Sequence, residues 1–338
     1  MRVSVLIALM ASLIVVSATE QGSCNKGEYS YNLEYDEGVL VKQGCAKDVL
    51  RPYVCGSRRN LEAGIWDHFH VSAHDSGASR FESLSVHEET PEHNFNFGIL
   101  NMLLLGLPQY IVEQVSRAQS KSLGQLVQSG VTYIDLRVAW SSTHQDWWVL
   151  HGYFCYSINE ALISLENGIS KTEWPVIKTE EQVVYLKAKF KSVLGKYSVE
   201  TSKRWPKLGQ VWGKQNRVFL VNDEMYQLSP REWRLLSSGG FWPDKTDHLQ
   251  SYNACVEFTR RQINSTKIVG VQFLVTPTAK STIWNMITFR GWSLKHYASQ
   301  MFSLFPEFKL TEGIGKVSII SVDEAHNLAK YLMDDSKY

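Results

Sequence analysis

The sequence has no surplus of charge of either sign and no long hydrophobic run beyond its first residues. Its 338 residues carry 35 Lys and Arg against 34 Asp and Glu, a formal net charge of +1. A surface that binds nucleic acid needs a basic surplus, so no nucleic-acid partner is expected, although a local basic pocket is compatible with this balance. Past residue 18, no segment reaches the roughly 20 apolar residues that a membrane-spanning helix needs.

Cysteine is also scarce, with five residues in the whole chain. An odd number leaves at least one thiol without an intramolecular partner. Cys24, Cys45 and Cys55 fall in one tyrosine-rich segment, where we expect one local disulfide. Cys155 is interpreted as a buried small hydrophobic residue rather than as a nucleophile.

The first 18 residues have the layout of a secretory signal. Arg2 supplies the positive start, residues 3–16 are mainly apolar, and Val16-Ser17-Ala18 offers small residues for cleavage. A membrane anchor is the alternative, but the apolar run is too short for one. We therefore expect a signal peptide over residues 1–18 and a secreted, extracellular protein. Asn264, in Asn264-Ser265-Thr266, is a predicted N-glycosylation site on an exposed loop.

The remaining chain divides into two parts by its pattern. Residues 19–63 are predicted to form a small cysteine-containing, β-rich N-terminal extension. Over residues 64–338, strand-like and helix-like segments alternate, which is typical of a parallel sheet covered by helices. Strands are predicted at Ile65–Val71, Thr132–Val138, Pro175–Lys178, Arg217–Asn222, Ile268–Val275 and Lys316–Ser321. Helices are predicted at Ser157–Leu165, Thr179–Lys196, Asp247–Ile263 and Ser293–Leu304. The expected fold class is α/β, a TIM (β/α) barrel with two of its eight strands not located.

Residue types that carry acid–base chemistry follow two of these predicted strands. His74 and Asp75 come after the first, while Asp135 and Arg137 lie on the second, which leads to His151. In a parallel barrel the carboxyl ends of the strands share one face, where active sites are built. We therefore expect these five side chains to meet.

Such a set suits cleavage of a phosphodiester by a neighbouring hydroxyl group. A base must take the hydroxyl proton, an acid must protonate the leaving oxygen, and a cation must hold the phosphate charge. Histidine, with an ordinary pKa of about 6.5, suits the first two tasks, and the arginine fork suits the third. No metal ion or other cofactor is needed for this chemistry. The alternatives are structural: Asp75 as a turn residue, and Asp135 with Arg137 as a barrel salt bridge.

Several short motifs along the chain keep the order found in one known family. They are His74–Gly77 (HDSG), Gly130–Val138 (GVTYIDLRV), Leu150–Gly152 (LHG), Ser157–Ala161 (SINEA), Phe241–Asp244 (FWPD), Gln272–Pro277 (QFLVTP) and Val317–Asp323 (VSIISVD). In these the sequence resembles the X-domain superfamily of phosphatidylinositol-specific phospholipases C, above all its bacterial-type and small X-domain-only branch. The resemblance spans about residues 65–332. It implies a distorted barrel, a phosphoinositide lipid or related phosphodiester as substrate, and a cyclic inositol phosphate as product.

The resemblance also implies a role for each residue. His74 would be the general base and Asp323 the aspartate that orients it. His151 would be the general acid, assisted by Asp75. Arg137 would bind the phosphate, with Asp135 beside it.

The calcium-dependent branch of that superfamily has asparagine after the first histidine and acidic residues where Arg137 stands. The presence of Asp75 and Arg137 therefore implies a metal-independent enzyme. Lys178 is a candidate inositol contact, whereas the inositol-gripping arginine of the family has no counterpart in Phe219–Met225. The head group is left open.

A peripheral membrane contact is expected at two places. Residues 95–112 form the most apolar segment of the mature chain, in the interval where bacterial-type members touch the membrane. The candidate contacts are Phe95, Leu103, Leu104, Leu105, Trp147 and Trp148, since apolar and tryptophan side chains favour the lipid–water boundary. Packing of both segments against the barrel is the alternative.

Two other functions compete with this one. His68 and His70 have a His-x-His spacing that suits a metal-dependent hydrolase on the same barrel. The later predicted strands, however, supply no further histidine ligand. A barrel that binds lipid or a partner without turnover is the second alternative, and the complete set of His74, His151, Arg137 and Asp323 argues against it.

Overall fold

The computed structural model describes residues 28–36, 39–47, 65, 70–82, 109–151, 153–172, 176–180, 184–199, 206–221, 240–261, 269–278, 281–282, 284–285, 288, 291–305, 317 and 319–334. The chain divides into two compact units, with the boundary between Lys47 and Asp48. The predicted signal peptide, His68, Phe95, Leu103–Leu105 and Asn264 lie outside the described residues, so those predictions stay open.

The first unit contains an antiparallel strand pair. Strand β1 spans Glu28–Asp36 and strand β2 spans Val39–Lys47, with Glu28 opposite Lys47. The β-rich character predicted for the extension is thus seen over these residues.

The second unit is built on a parallel sheet. Its strands are β3 (His70–Ala73), β4 (Tyr133–Leu136), β8 (Val176–Glu180), β9 (Val218–Val221), β10 (Gly270–Gln272) and β11 (Ile319–Val322). Their order in space is β10-β11-β3-β4-β8-β9. The first and last strands of this unit are therefore neighbours, as in a (β/α) barrel.

The helices lie between these strands in the chain, except the last one, which follows β11. They are α1 (Gln109–Ser116), α2 (Leu123–Gln128), α3 (Ile158–Ile169), α4 (Val184–Leu194), α5 (Leu208–Val211), α6 (His248–Arg261), α7 (Leu294–Phe302) and α8 (Ala325–Asp334). None of the helices in the described part is long and apolar enough to cross a bilayer. Strand followed by helix, with parallel pairing throughout, is the α/β class that the sequence predicts.

A small antiparallel sheet interrupts this alternation between β4 and α3. It consists of β5 (Val138–Ser141), β6 (Asp146–His151) and β7 (Tyr153–Ser157) in that order. The sequence pattern does not predict it. Its β5–β6 hairpin connects Arg137, directly after β4, with His151 at the end of β6. The hairpin therefore fixes the distance between these two predicted site residues.

The hydrophobic core fills the space between the parallel sheet and the helices. Buried strand residues such as Ile134 and Val218 pack in one cluster with helix residues such as Leu126, Leu162 and Leu328. Helices α2 and α3 touch through their backbones. A Cβ at Gly124 would lie 2.3 Å from the carbonyl oxygen of Ser164, so only glycine fits there.

Five of the six predicted strands overlap the observed ones within a few residues. The first is displaced: β3 begins at His70, five residues after the predicted start. The predicted helix at Thr179–Lys196 is wrong at its beginning, because Thr179 and Glu180 continue strand β8 in parallel pairing with β4. Phe241 forms an isolated parallel bridge with Val271 of β10. This bridge corresponds to one of the two strands that the sequence pattern did not locate.

The two described cysteines of the second unit are free and buried. Burial raises the pKa of the Cys155 thiol and that of the Cys255 thiol, which makes both poor nucleophiles. The interpretation of Cys155 as a buried small residue is confirmed. The predicted disulfide among Cys24, Cys45 and Cys55 is not tested, because no side chain of the three is described.

Candidate active site

His74 is the first residue beyond strand β3, at the carboxyl end of the sheet. Strand β3 is buried along its whole length and lies between β11 and β4. The backbone N–H of His74 still donates to the carbonyl of Val322 at 3.1 Å. The position of His74 is therefore set by the sheet itself rather than by a loose loop.

Asp323 holds the imidazole of His74 from the end of the neighbouring strand β11. Its Oδ1 lies 3.0 Å from Nδ1 of His74. A proton on Nδ1 is donated to this carboxylate, which turns Nε2 toward the site. Burial acts to lower the pKa of His74, but the nearby carboxylates of Asp75 and Asp323 outweigh burial and raise it above the ordinary value.

The turn after His74 is tight and unusual in its backbone. Asp75 has a φ of +42°, a conformation that aspartate tolerates better than most residues. The N–H of Ser76 donates to the carbonyl of Asp135 at 2.7 Å, which binds this turn to the end of β4. A Cβ at Gly77 would lie 2.1 Å from Cγ1 of Val149, so the glycine lets the turn pack directly on β6.

Asp75 lies at the centre of the cluster. Its side chain is 1% exposed, with Oδ1 at 2.8 Å from Nε of Arg137. Its Oδ2 lies 3.1 Å from Nε2 of His74 and 2.9 Å from Nε2 of His151. Burial disfavours the charged carboxylate, but Arg137 and the two histidines outweigh it and hold the pKa of Asp75 well below its ordinary range. Asp75 is therefore an anion that links both imidazoles to the guanidinium.

Arg137 follows strand β4 and is partly exposed. Its side chain is 30% exposed, and its Nη2 lies 3.4 Å from Oδ2 of Asp135 and 3.5 Å from Nε2 of His74. The same Asp135 oxygen accepts from the backbone N–H of Asp75 at 3.4 Å. Two carboxylates thus orient one guanidinium beside the imidazole of His74.

His151 ends strand β6 and contacts Asp75. Its Nδ1 lies 2.7 Å from the backbone carbonyl oxygen of Ser116, at the end of helix α1. Its Nε2 lies 2.9 Å from Oδ2 of Asp75, so the carbonyl and the carboxylate together fix the orientation of the ring. The two rings are 6.2 Å apart between centroids.

A buried glutamine, Gln119, which the sequence pattern does not identify, stabilises the strand ends that carry His74 and Asp323. Nε2 of Gln119 donates to the carbonyls of His74 at 2.8 Å and Val322 at 3.1 Å. Its Oε1 accepts from the N–H of Ala325 at 3.0 Å. Gln119 thereby ties together the two strand ends that carry His74 and Asp323. Gln119 lies in an irregular segment before α2, where the sequence has no periodic pattern that could identify it. The contact from Ser116 is made by a backbone carbonyl, which no side-chain pattern can predict.

Within the described residues, one group of side chains has the spacing to hold a metal ion. It comprises His74, Asp75 and Asp135, whose ligand atoms lie within 4.8 Å of one another. The Arg137 guanidinium already contacts both carboxylates and supplies a positive charge there. A second cation would therefore be repelled.

The metal site suggested by His68 and His70 is not supported by the surroundings of His70. Its ring is fully buried, with Nδ1 at 3.2 Å from Oγ1 of Thr132 and Nε2 at 2.9 Å from the carbonyl of Ile65. Both ring nitrogens thus have protein partners, and neither is left for a metal ion.

The other predicted contact residues lie on strands β6 and β8. Lys178 is on strand β8, opposite Ile134 of β4, and its side chain is not described. Trp148 is buried against Ala139 and Phe154, which is the packing alternative left open for it. Trp147 is partly buried and forms an edge-to-face pair with Trp140.

Comparison with known proteins gives similarity of fold. No family model matches the sequence, and no curated protein matches it. Solved structures with the same fold include the phosphatidylinositol-specific phospholipase C from Listeria monocytogenes, with 14% identity and a TM-score of 0.51 over 81% of this chain and 94% of that one. A variant of the phosphatidylinositol-specific phospholipase C from Staphylococcus aureus has 11% identity and a TM-score of 0.54 over 81% and 95% of the two chains. Another Staphylococcus aureus structure, solved to examine membrane binding of that enzyme, has a TM-score of 0.53 at 11% identity over the same shares. The chain therefore has the barrel fold of the bacterial phosphatidylinositol-specific phospholipases C.

Proposed function

We propose that this protein is a metal-independent phosphodiesterase of the phospholipase C type, which cleaves a glycerophosphoinositide through a cyclic inositol phosphate. The observation that carries the proposal is the unequal support of two imidazoles around one guanidinium. Nδ1 of His74 is held by the carboxylate of Asp323 and Nδ1 of His151 by the backbone carbonyl of Ser116, while Nε2 of both rings faces Asp75. One ring is thus prepared to take a proton and the other to give one.

His74 acts as the general base. When it is neutral, its Nδ1 proton is donated to Asp323 and Nε2 is left to accept the proton of the inositol hydroxyl beside the phosphate. The oxygen of that hydroxyl then attacks phosphorus and forms the cyclic ester. The raised pKa of His74 makes it a stronger base once it is deprotonated.

His151 acts as the general acid. The bond between phosphorus and the glycerol oxygen breaks, and the Nε2 proton of His151 passes to that oxygen. Asp75 orients the ring, since its Oδ2 lies 2.9 Å from Nε2. The products are a cyclic inositol phosphate and diacylglycerol, and the proton taken by His74 balances the one given by His151.

Arg137 stabilises the charge that builds on the phosphate oxygens. Its guanidinium is fixed by Asp75 and Asp135 and is 30% exposed, so a phosphate can reach it. Arginine binds such oxygens through two parallel hydrogen bonds and keeps its charge at every physiological pH.

A membrane surface is the proposed location of the substrate. Trp242 and Trp284 are 52% and 60% exposed. Trp242 follows the bridge between Phe241 and β10, and its indole donates to Thr276 just beyond the same strand. Exposed tryptophan near the carboxyl edge of the sheet suits the lipid–water boundary. We propose further that the protein works outside the cell, on the support of its signal-like first 18 residues.

Product analysis on a panel of lipids tests the function. Purified protein is incubated with vesicles of phosphatidylinositol, phosphatidylcholine or phosphatidylglycerol, and water-soluble phosphates are identified by phosphorus NMR. A cyclic phosphate released from phosphatidylinositol alone is the expected result. Release of a non-cyclic phosphomonoester, or hydrolysis of phosphatidylcholine at the same rate, would overturn the proposed reaction.

A further inference from the structure

Glu324 is a buried carboxylate that the proposed mechanism does not use. It directly follows Asp323, precedes helix α8, and is 4% exposed. Both residues line a small cavity whose other walls include the apolar side chains of Phe273, Phe302 and Leu328. A carboxylate buried beside apolar groups costs folding free energy unless its charge is paired and hydrogen-bonded.

The two oxygens of the Glu324 side chain have different surroundings. Oε2 accepts from the hydroxyl of Ser120 at 2.6 Å and from the backbone N–H of Ser120 at 3.3 Å, and it lies 3.4 Å from Nδ1 of His326. Oε1 is buried and has no hydrogen-bond partner among the residues that the structure describes. Because an apolar side chain would avoid that cost, fold stability alone does not account for a glutamate here.

The backbone of Glu324 is also strained. Its φ is +51°, a conformation that glycine, asparagine and aspartate adopt more readily than glutamate. Such positions concentrate at functional sites, where the surrounding contacts hold them in place. A glutamate that is both strained and buried therefore indicates that its side chain has a task beyond stability.

Glu324 holds the irregular segment Ser116–Ser120, which we call the bridging segment. Its backbone N–H donates to the carbonyl of Ala118 at 2.9 Å, and its carboxylate binds Ser120 two residues further along. Ala118 itself is fully buried. One residue thus fixes the bridging segment to the end of strand β11 at two points.

The bridging segment also supplies the hydrogen-bond partner of His151. The carbonyl oxygen of Ser116 lies 2.7 Å from Nδ1 of the ring. Since a carbonyl only accepts, the contact needs a proton on Nδ1, and it directs Nε2 toward Asp75. A displacement of the bridging segment would therefore turn the ring, and a misplacement of about 1 Å at a reacting group can reduce a rate on the order of 100-fold.

We propose that Glu324 is a positioning residue for the general acid: through Ala118 and Ser120 it fixes the bridging segment, whose Ser116 carbonyl orients His151. This inference deepens the proposed function and rests on it for the role of His151 as the acid. The orientation of the ring needs no turnover, so it can be measured separately from catalysis.

The test uses three variants with different effects on the contact to Ser120. Glu324→Leu removes the acceptor, whereas Glu324→Gln keeps an oxygen that can accept from Ser120. Glu166→Leu is the control, because it removes a carboxylate that is paired with Lys196 on helix α3 and leaves the bridging segment untouched.

The Nδ1 protons of the two imidazoles report directly on ring position. In protein labelled with ¹⁵N-histidine, NMR gives their rates of exchange with water, and the signals are identified by their loss in His74→Ala and His151→Ala. In Glu324→Leu we expect the His151 proton to exchange about 10-fold faster than in wild type, since its acceptor is less firmly held. The His74 proton, donated to Asp323, should exchange at the wild-type rate. Unchanged exchange of the His151 proton would overturn the inference.

Kinetics with two leaving groups show whether the displaced ring matters for proton donation. In Glu324→Leu, kcat on phosphatidylinositol should fall about 10-fold or more with little change in KM. The loss should be much smaller on a nitrophenyl phosphodiester of inositol, whose leaving group needs no proton. The rising limb of the pH–rate profile should stay at the wild-type pH, because His74 and Asp323 keep their contact.

Glu324→Gln and Glu166→Leu should both retain the wild-type kcat. An equal loss on both substrates, or a shifted rising limb, would mean that Glu324 acts through the base instead. A loss of thermal stability with the wild-type kcat would show a purely structural role. A loss in Glu324→Gln as large as in Glu324→Leu would show that the charge matters rather than the hydrogen bond. Each of these results would overturn the inference.

Ser120→Ala tests the same contact from the other side. Ser120 is exposed, so its hydroxyl can be removed without disturbing the core. This variant should show the same preference for the nitrophenyl substrate, and Ser120→Ala/Glu324→Leu should lose no more activity than Glu324→Leu, because both changes remove one contact. Additive losses would overturn the inference. If wild type releases no cyclic phosphate, the proposed function fails, while proton exchange at His151 still decides whether Glu324 positions the ring.

Discussion

Nδ1 of His74 lies 3.0 Å from Oδ1 of Asp323, although 249 residues separate the two in the sequence. The contact forms because β3 and β11 are adjacent parallel strands in register, with Ala73 opposite Val322. The residue after each strand therefore emerges at the same level of the sheet edge. This pairing of the first and last strands turns two distant residues into one acid–base unit.

The charge of Asp323 sets the pH dependence expected for catalysis. The general base must be deprotonated, so kcat/KM rises as the pH passes the pKa of the cluster that contains His74, above the ordinary value of about 6.5. Asp323→Asn removes a carboxylate that raises this pKa. The rising limb should then move to lower pH, and kcat should fall by about 100-fold. A pH–rate profile of kcat/KM measures both effects.

Asp146→Asn, at a carboxylate paired with Lys189, is the control and should leave the rising limb of the profile at the wild-type pH. A rising limb that also stays at the wild-type pH in Asp323→Asn would contradict the assignment of His74 as the base.

The role of His151 as the acid predicts a dependence on the leaving group. An alkoxide such as that of diacylglycerol needs a proton as it leaves, whereas a nitrophenolate does not. His151→Ala should therefore lose about 100-fold or more on the natural leaving group and far less on a nitrophenyl phosphodiester of inositol. His74→Ala should lose activity on both substrates. Rates with the two substrates for each variant test the assignment, and an equal loss in His151→Ala would mean that this residue is not the acid.

Gln119 is expected to act as a positioning residue for the His74–Asp323 pair. Gln119→Leu keeps a similar volume and adds no charge, but removes the amide hydrogens donated to the carbonyls of His74 and Val322. Two buried acceptors then lose their donor, which should cost about 1–3 kcal/mol of stability for each lost partner. Because the contact between His74 and Asp323 loosens, kcat should fall and the rising limb of the pH profile should move to lower pH, the direction predicted for Asp323→Asn. A loss of thermal stability with an unchanged limb would show a purely structural role.

Gly77 should be intolerant of any side chain. The Cβ of Gly77→Ala would enter the space of Val149 and Leu136, at 2.1 and 2.9 Å from their side-chain atoms. Such overpacking typically costs about 1–3 kcal/mol in the free energy of unfolding. Gly195→Ala is the matched control, since its Cβ would meet Lys191 at an ordinary 3.5 Å. Urea unfolding of both variants tests the close packing. Equal urea midpoints for the two variants would show that the turn after His74 accommodates a side chain without loss of stability.

Much of this site was predictable from the sequence because its side chains follow strand ends. His74, Asp75 and Arg137 were identified in that way, and Asp323 through the family resemblance. The structure brings these four together with Asp135 and His151. Parallel strands place such positions on one edge whatever the details of the helices. Gln119 and the carbonyl of Ser116 were not predictable, because they act from irregular segments and through backbone groups that carry no sequence pattern.

The small antiparallel sheet was missed for a different reason. Strands β5, β6 and β7 alternate in burial only in part, since Trp148 and Phe154 belong to a small cluster while Val149, Tyr153 and Cys155 belong to the main core. Its hairpin nonetheless determines where His151 meets Asp75. The local sequence pattern thus identified His151 as a site residue, whereas its position in the site is determined by the tertiary contacts of the small sheet.

The central claim is that two imidazoles and one guanidinium suffice for cleavage. The most direct test is the release of cyclic inositol phosphate from phosphatidylinositol vesicles in the presence of a metal chelator, with wild type and His74→Ala measured side by side. The account predicts that cyclic product forms at the same rate with and without chelator in wild type, and is lost in His74→Ala. Loss of wild-type activity on chelation, with recovery on adding back a divalent metal, would contradict it.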